Sequence, residues 1–312
     1  MLVLSWSGGK DSALALRALR QEQRMAPAAL LTTVTEDYGR VSMHGVRREL
    51  VQAQADAAGV PLVQVAIPAA CPNDVYEARM AHALAVPPLA GVGTIAFADL
   101  FLEDIRAYRE QQLAAAGWTA AFPLWGRNTG ALARGFIDAG FQALLVCVDP
   151  SRLDPSFAGR AYDESLLADL PADVDPCGEN GEFHTFVHAG PVFEHPIAIE
   201  RGETVTRDGF VFCDVLPSAR HEAQAVIAAD QPARSIPGDM GSSSDCRRAP
   251  GATEYAFRAT ASEWPSIASS GRPSPFAAGR EPPHHPSTAR PRGGGAPTRR
   301  RLIARRALEL NR

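Results

Sequence analysis

Apolar positions recur along the chain in two alternating rhythms. Leu2 to Trp6 is a short apolar run, followed by the turn Ser7-Gly8-Gly9-Lys10-Asp11-Ser12 and an Ala- and Leu-rich stretch from Ala13 to Arg20. That order predicts strand, glycine turn and helix, with Ser12 near the helix start. Ala28 to Thr35 predicts a second strand, residues 45–58 a helix with Val46, Leu50, Ala53 and Ala57 at helical spacing, and Pro61 to Ile67 a third strand. A helix over Asn73 to Val86, a strand over Thr94 to Ala98 ending at Asp99, and a helix over Leu100 to Ala116 follow. Residues 130–139 predict another helix and Gln142 to Val148 another strand. Strands alternating with helices predict an α/β fold whose doubly wound, mostly parallel sheet is covered on both faces. From about Asp173 to Val215 the rhythm changes to turns and short β segments, punctuated by Gly178, Gly181, Gly190, Gly202 and Gly209. This predicts a smaller α+β part.

Beyond residue 217 the composition shifts. Pro, Gly and Ser supply about a third of residues 218–312, and Leu, Ile, Val and Phe only about a tenth, too little apolar surface to offset the entropy of ordering a chain. The first 217 residues carry a net charge of −11 and the rest +7. A single 312-residue globule is excluded on this reading. The expected organisation is a nucleotide-binding domain over 1–123, an α+β domain over 124–217 and a disordered tail over 218–312. The tail reads best as an out-of-frame extension, since Arg, Pro, Ala, Gly and Ser are what GC-rich DNA yields in the wrong frame. A neutral linker, or a polyanion-binding appendage through Arg299–Arg301 and Arg305–Arg306, are the other readings.

Charge and cysteine use narrow the class. No run of about 18 apolar residues is present, so no membrane span is expected. Met1-Leu-Val-Leu-Ser-Trp has no basic segment or small-residue cleavage site, so it is not a signal peptide. Five widely spaced cysteines without a CxxC argue against a disulfide framework or zinc ribbon and for a reducing cytoplasm. The acidic folded part makes nucleic acid an unfavourable partner.

The Ser7–Ser12 turn carries the clearest chemistry. Adjacent glycines let backbone N–H groups approach an anion, and the following helix points its positive end at the same place. Lys10 adds a full charge, Ser7 and Ser12 add hydroxyls, and Asp11 can orient donors or help to hold a metal. Lys10 is the only lysine in the chain. Further along, Glu179, Asn180, Glu182, His184 and Thr185 place five polar side chains within seven positions. Such a cluster can bind a cationic or amide-bearing substrate and position ammonia. Asp99 and Glu103, four apart, are expected on one helix face, where they would help to hold Mg²⁺ around a triphosphate. Glu103 pairing with Arg106 is the equal alternative. Arg106 and Arg109 are candidates for phosphate or carboxylate contacts, and His44 for contact with adenine or substrate. Trp125 reads as packing, and Cys177, without a CxxC partner, as no nucleophile. The spacing of Glu182, His184 and His188 matches no metal motif, so no metal centre made of protein ligands alone is expected.

SGGKDS directly after the first strand resembles the PP-loop ATP pyrophosphatases, the adenine nucleotide alpha hydrolase-like superfamily. The loop is not a Walker A motif, and Gly91-Val92-Gly93 does not complete a dinucleotide fingerprint. Tyr38–Val46 (YGRVSMHGV), Asp99–Glu110 (DLFLEDIRAYRE), Pro123–Thr129 (PLWGRNT) and Cys177–Phe186 (CGENGEFHTF) resemble the diphthine–ammonia ligase family over about residues 1–217. The resemblance implies a HUP-type PP-loop fold, ATP and Mg²⁺ as cofactors, and amidation of a carboxylate through an acyl-adenylate with release of AMP and pyrophosphate. The family's type substrate is diphthine, the modified histidine of translation elongation factor 2. Ser7, Gly8, Gly9, Lys10, Asp11, Ser12 and Asp99 would hold the nucleotide, with Lys10, Asp11, Glu179, Glu182 and His184 catalytic. His44, Glu103, Arg106, Asn180 and Thr185 would contact the substrate. Ala98 stands where the family carries glycine before the aspartate. The chain enters the ATP fold directly from Met1 and leaves no room for a glutaminase domain within 217 residues, which predicts ammonium rather than glutamine as nitrogen donor. A nucleotide sensor without turnover and a tRNA-modifying enzyme are the alternatives.

Overall fold

The computed structural model describes residues 1–218. Alternate side chains of a strand face opposite ways, and the first strand, β1 (Leu2–Ser5), is apolar on both faces because both are covered. Leu2 and Leu4 join one core and Val3 another. The first core is filled by α1 (Lys10–Gln21) and α2 (Arg48–Ala58), with Leu14, Leu16, Leu19, Leu50 and Val51 pointing inward. Across β2 (Ala29–Thr35), the chain adds the two-residue β3 (Arg40–Val41) and then β4 (Leu62–Ile67). The second core lies under α3 (Asn73–Ala85) and α4 (Glu103–Ala115), reached through β5 (Thr94–Ala96). β6 (Thr119–Ala121) completes this sheet.

The parallel strands run β4-β2-β1-β5-β6. β3 pairs antiparallel with the last two residues of β2, past the end of β1. Strand order reverses direction at β1 and β5, so the crevice beyond their C-terminal ends is where an open α/β sheet binds ligands. The turn after β1 and the segment after β5 open onto it.

The second sheet is antiparallel throughout. After α5 (Thr129–Asp138), capped by the Asn128 side chain, come β7 (Gln142–Val148), a 3₁₀ turn at Pro155–Phe157 and α6 (Glu164–Asp169). β8 (Phe183–Ala189), β9 (Ile199–Arg207) and β10 (Phe210–Pro217) then give the order β8-β7-β10-β9. Phe136 is fully buried, stacked on Phe141 at 4.8 Å and edge-on to Tyr162. From residue 219 the expected tail lies outside the described residues.

Asp214 of β10 ties the second sheet to the loop between β3 and α2. It accepts from Arg40 at 2.7 Å and from Arg47 at 2.8 Å. Gly45, at φ +65°, lets that loop pass close to Phe212; a Cβ there would lie 2.7 Å from the ring. Burial opposes the Asp214 charge, but hydrogen bonds from the two arginines prevail and hold its carboxyl down to about 2. A depressed carboxyl stabilises the fold above its unfolded pKa, and that contribution is lost as pH falls through about 2. Asp214→Ala is therefore expected to cost about 1–2 kcal/mol at neutral pH. The difference from wild type should shrink below about pH 4, as read by urea unfolding across a pH series. A loss that does not change with pH would count against the charge pairing.

Candidate functional site

The phosphate-loop candidate is shaped by contacts from three elements. Gly8 adopts φ +80°, and a Cβ there would lie 2.8 Å from Gln54 Oε1. Gln54, on α2 and fully buried, accepts from Trp6 Nε1 at 2.9 Å. Its Nε2 donates to the Gly8 carbonyl at 2.9 Å and to the Val187 carbonyl at 2.5 Å. The Val187 amide donates to the Gly8 carbonyl at 2.9 Å, and the Lys10 amide donates to Thr185 Oγ1 at 3.0 Å. β8 thus docks edge-on against the loop. Ser12 Oγ donates to the Gly9 carbonyl at 2.8 Å, and the Gly9 amide donates to Ser7 Oγ at 3.2 Å.

The Lys10 side chain is buried. Its Nζ donates to both Asp11 oxygens at 2.8 and 3.0 Å and to the Cys177 carbonyl, and lies 5.9 and 5.6 Å from the Tyr162 and Phe183 ring centroids. Burial disfavours the ammonium, but the Asp11 carboxylate and its neighbours outweigh this and raise the pKa above the ordinary lysine value. Lys10 stays protonated.

A cavity of about 490 Å³ opens over the loop. Of the residues singled out from sequence, Ser7, Lys10, Asp11, Ser12, His44, Asp99, Glu179, His184 and Thr185 line it. Gly8 and Gly9 form the loop beneath, and Glu103, Arg106, Asn180 and Glu182 are not among the lining residues. Glu182 is 1% exposed and accepts from the Asn180 amide and Asn180 Nδ2, both at 3.0 Å. Its carboxylate thereby closes the turn that presents Glu179. Glu103 is exposed in the first turn of α4. Arg106 pairs with Glu110 at 2.8 Å, not with Glu103, and lies over the Phe122 and Trp125 rings. Asp99 precedes α4 rather than sharing its face, because residues 100–102 run as a bend with fully buried Leu100 before the helix begins at Glu103. Its Oδ2 lies 2.8 Å from Arg109 Nε.

Electrostatics separate the groups by role. Glu179 accepts from the Leu100 amide at 2.7 Å, yet burial first, then the negative Asp11 and Asp99, push its carboxyl up to about 8. Burial and the charge of Lys10 bring His184 down to about 4. Burial, His184 and Lys10 put His44 well below the usual histidine range. The two rings lie 4.6 Å apart, and both are neutral imidazoles at pH 7. His44 Nδ1 is buried without a hydrogen-bond partner. Burial raises the Cys177 thiol, which suppresses its nucleophilicity.

Among the described residues, no three or more His, Cys, Asp or Glu side chains are grouped to hold a metal ion by themselves. Mg²⁺ needs less, usually one or two carboxylates with substrate phosphates completing its shell. Asp11, Asp99 and Glu179 line one cavity and crowd one another enough to raise Glu179, a donor set that fits a divalent cation arriving with phosphate.

Gln54 is the site residue that sequence reasoning missed. Its signal was available, because Leu50, Gln54 and Ala58 fall four apart on the helix stripe that faces the core.

Two family models match the chain. The diphthamide synthase N-terminal domain covers residues 1–104 and the diphthamide synthase C-terminal domain residues 128–216. Diphthine–ammonia ligases of Bos taurus and Homo sapiens are each 34% identical over 97 residues, which is 30% of this chain and 36% of theirs. The Mus musculus protein is 32% identical over 124 residues, 36% of this chain and 46% of its own. The chain thus spans less than half the length of these relatives. SGGKDS at the head of a parallel sheet, GENGEFHT folded against it, and both domain models in order place the chain in the PP-loop ATP pyrophosphatase superfamily, in the branch that resembles diphthine–ammonia ligase.

Proposed function

We propose that the protein is an ATP-dependent carboxylate–ammonia ligase, with residues 1–123 binding the nucleotide and residues 124–217 serving the acid. The observation that carries this reading is one cavity shared by the Ser7–Ser12 loop, Glu179 and the His44–His184 pair. The names of the relatives supply the partners, diphthine and ammonia.

In the first step a substrate carboxylate oxygen attacks the α-phosphorus of ATP. The bond from that phosphorus to the α–β bridging oxygen breaks, and pyrophosphate leaves as the acyl-adenylate forms. In the second, ammonia attacks the acyl carbon, AMP leaves with the bridging oxygen, and the nitrogen gives up one proton. First-turn amides of α1, Ser7, Ser12 and Lys10 orient the phosphates. Asp11 and Asp99 would hold Mg²⁺, which supplies charge neutralisation for the leaving pyrophosphate. Glu179, poised at about 8, accepts the proton from the attacking nitrogen. The neutral His44 and His184 add no competing charge and present ring nitrogens for hydrogen bonding. The Thr185 hydroxyl and Gln54 hold the loop in place rather than touching reactants.

The test is product analysis of purified protein with Mg-ATP, ammonium and candidate acids including diphthine. AMP and pyrophosphate in equal amounts are expected, with turnover that depends on ammonium. ADP and phosphate would overturn the adenylation mechanism.

A further inference from the structure

The tight turn between β3 and α2 carries His44 into the cavity. The turn is closed by the Val41 amide donating to the Val46 carbonyl at 2.7 Å and the Gly45 amide donating to the Val41 carbonyl at 3.0 Å. Arg40 Nη1 donates to the Gly45 carbonyl at 2.8 Å as well as to Asp214. Met43 stands at the tip with φ +66°, a left-handed conformation that a residue with a side chain keeps only where its surroundings impose it. Imposed strain of this kind concentrates where a group is presented to a ligand, and the next residue is His44. His184 of β8 covers one face of the His44 ring, with centroids 4.6 Å apart. The ring meets the phosphate loop with an edge: Nδ1 is buried without a partner, whereas a Cβ on Gly9 would lie 3.0 Å from Nε2.

Most side-chain protons around the loop are already committed. The three ammonium protons of Lys10 meet Asp11 Oδ1, Asp11 Oδ2 and the Cys177 carbonyl, so Lys10 acts on phosphate through its charge. The hydroxyl proton of Ser12 goes to the Gly9 carbonyl. Of the side chains gathered at this loop, that leaves the Ser7 hydroxyl and the His44 ring to donate. A neutral imidazole carries one N–H. A phosphate oxygen seated beside Gly9 gives that proton an acceptor at Nε2, while the protein gives it none at Nδ1.

We propose that His44 is a catalytic residue of the nucleotide site, donating from Nε2 to the pyrophosphate that leaves, rather than a contact for adenine or the acid. As the bond from the α-phosphorus to the bridging oxygen breaks, negative charge passes to that oxygen and the pyrophosphate it belongs to. An N–H already fixed at the loop stabilises this charge as it develops, without reorganisation. The proton stays on the ring. The second sheet sets the ring's position from two sides, because β10 holds the turn through Asp214 and β8 backs the imidazole through His184. The assignment rests on the ligase reading, and it adds a residue to that reading's first step.

Direct binding tests it without turnover, so this contact and the ligase reading fail separately. Calorimetry is run on the full chain with magnesium pyrophosphate and with AMP as probes. His44→Ala is expected to weaken pyrophosphate by roughly tenfold or more, the loss of one hydrogen bond to a charged acceptor, while AMP stays within about twofold. His44→Gln, whose amide N–H reaches the place of Nε2, should recover pyrophosphate to within about threefold of wild type. His44→Asn, whose amide reaches only as far as Nδ1, should resemble alanine. The glutamine and asparagine variants keep a polar side chain at the turn, so their contrast reads the contact even should His44→Ala lower the melting temperature. The proposal is overturned if the wild type does not bind pyrophosphate, if His44→Ala binds it as well as wild type, or if asparagine restores it and glutamine does not. Equal losses for AMP and pyrophosphate would also overturn it, by moving the ring to the adenosine or the α-phosphate.

Discussion

Lys10→Ala is expected to lower nucleotide affinity by at least about a hundredfold, or about 2.8 kcal/mol, in an equilibrium titration with α,β-methylene-ATP. The size follows from what the ammonium neutralises. Lys10 Nζ lies 2.8 Å from an Asp11 oxygen, and Asp11 lines the cavity that the triphosphate would enter. Without Lys10, Asp11 and the incoming phosphates face each other with the intervening cation gone. One unit-charge contact at about 4 Å amounts to about 4 kcal/mol at an effective dielectric of about 20. Lys10→Arg retains the charge but replaces a compact ammonium with a planar fork in the space between Tyr162, Phe183 and the Cys177 carbonyl. It should fall between wild type and alanine. Affinity within about threefold of wild type for Lys10→Ala would remove the phosphate assignment from this loop.

Gln54→Leu is expected to destabilise the fold by about 3–5 kcal/mol, with the melting temperature lower by about 10 °C. Leucine fills similar space but strips partners from the Trp6 indole N–H and from the Gly8 and Val187 carbonyls, all buried with it. The Gly8 carbonyl keeps the Val187 amide as donor, so the loss falls on the indole N–H and the Val187 carbonyl. Each unsatisfied buried group costs about 1–3 kcal/mol, a large share of a typical domain's stability of about 5–15 kcal/mol. The variant should also weaken nucleotide binding, since Gly8 is the residue that Gln54 positions. A loss below about 1 kcal/mol in urea unfolding would mean that water or backbone movement replaces the clamp.

The legible part of the fold is the part where one residue type repeats over several turns or pleats. β1 and β2 are buried on both faces and stand out as interior parallel strands, β4 is an apolar run at the edge of the parallel order, and Leu14, Leu16 and Leu19 mark α1. β3 and β6, two and three residues long, carry no period to detect and exist because neighbouring strands present open edges. The run Leu100–Leu102 looked helical because it is apolar and adjoins a helix. It is an irregular bend instead, with Leu100 buried and its amide bonded to Glu179 across the site.

The acidic motif shows a different limit. Glu179 and Glu182 are the same residue type three positions apart, and composition alone gives them equal claims on catalysis. Gly178 and Gly181, both at positive φ, turn the chain so that Glu179 enters the cavity and Glu182 faces inward to its own loop. Chemistry selected the segment, but backbone geometry selected the residue. The neutrality of His44 and His184 was equally out of reach, because it comes from burial and from Lys10, which is 174 positions from His184.

Position 10 also sets how this chain answers covalent labelling. With one lysine in the sequence, every ε-amine-directed reagent has a single address, and that address is 2% exposed beneath the cavity. Acylation or reductive methylation there would neutralise or crowd the ammonium at the heart of the loop, whereas the arginine-dominated surface would pass through the same treatment untouched. Lysine chemistry on this protein is therefore a readout of one side chain, with the α-amine of exposed Met1 as the other group such reagents reach.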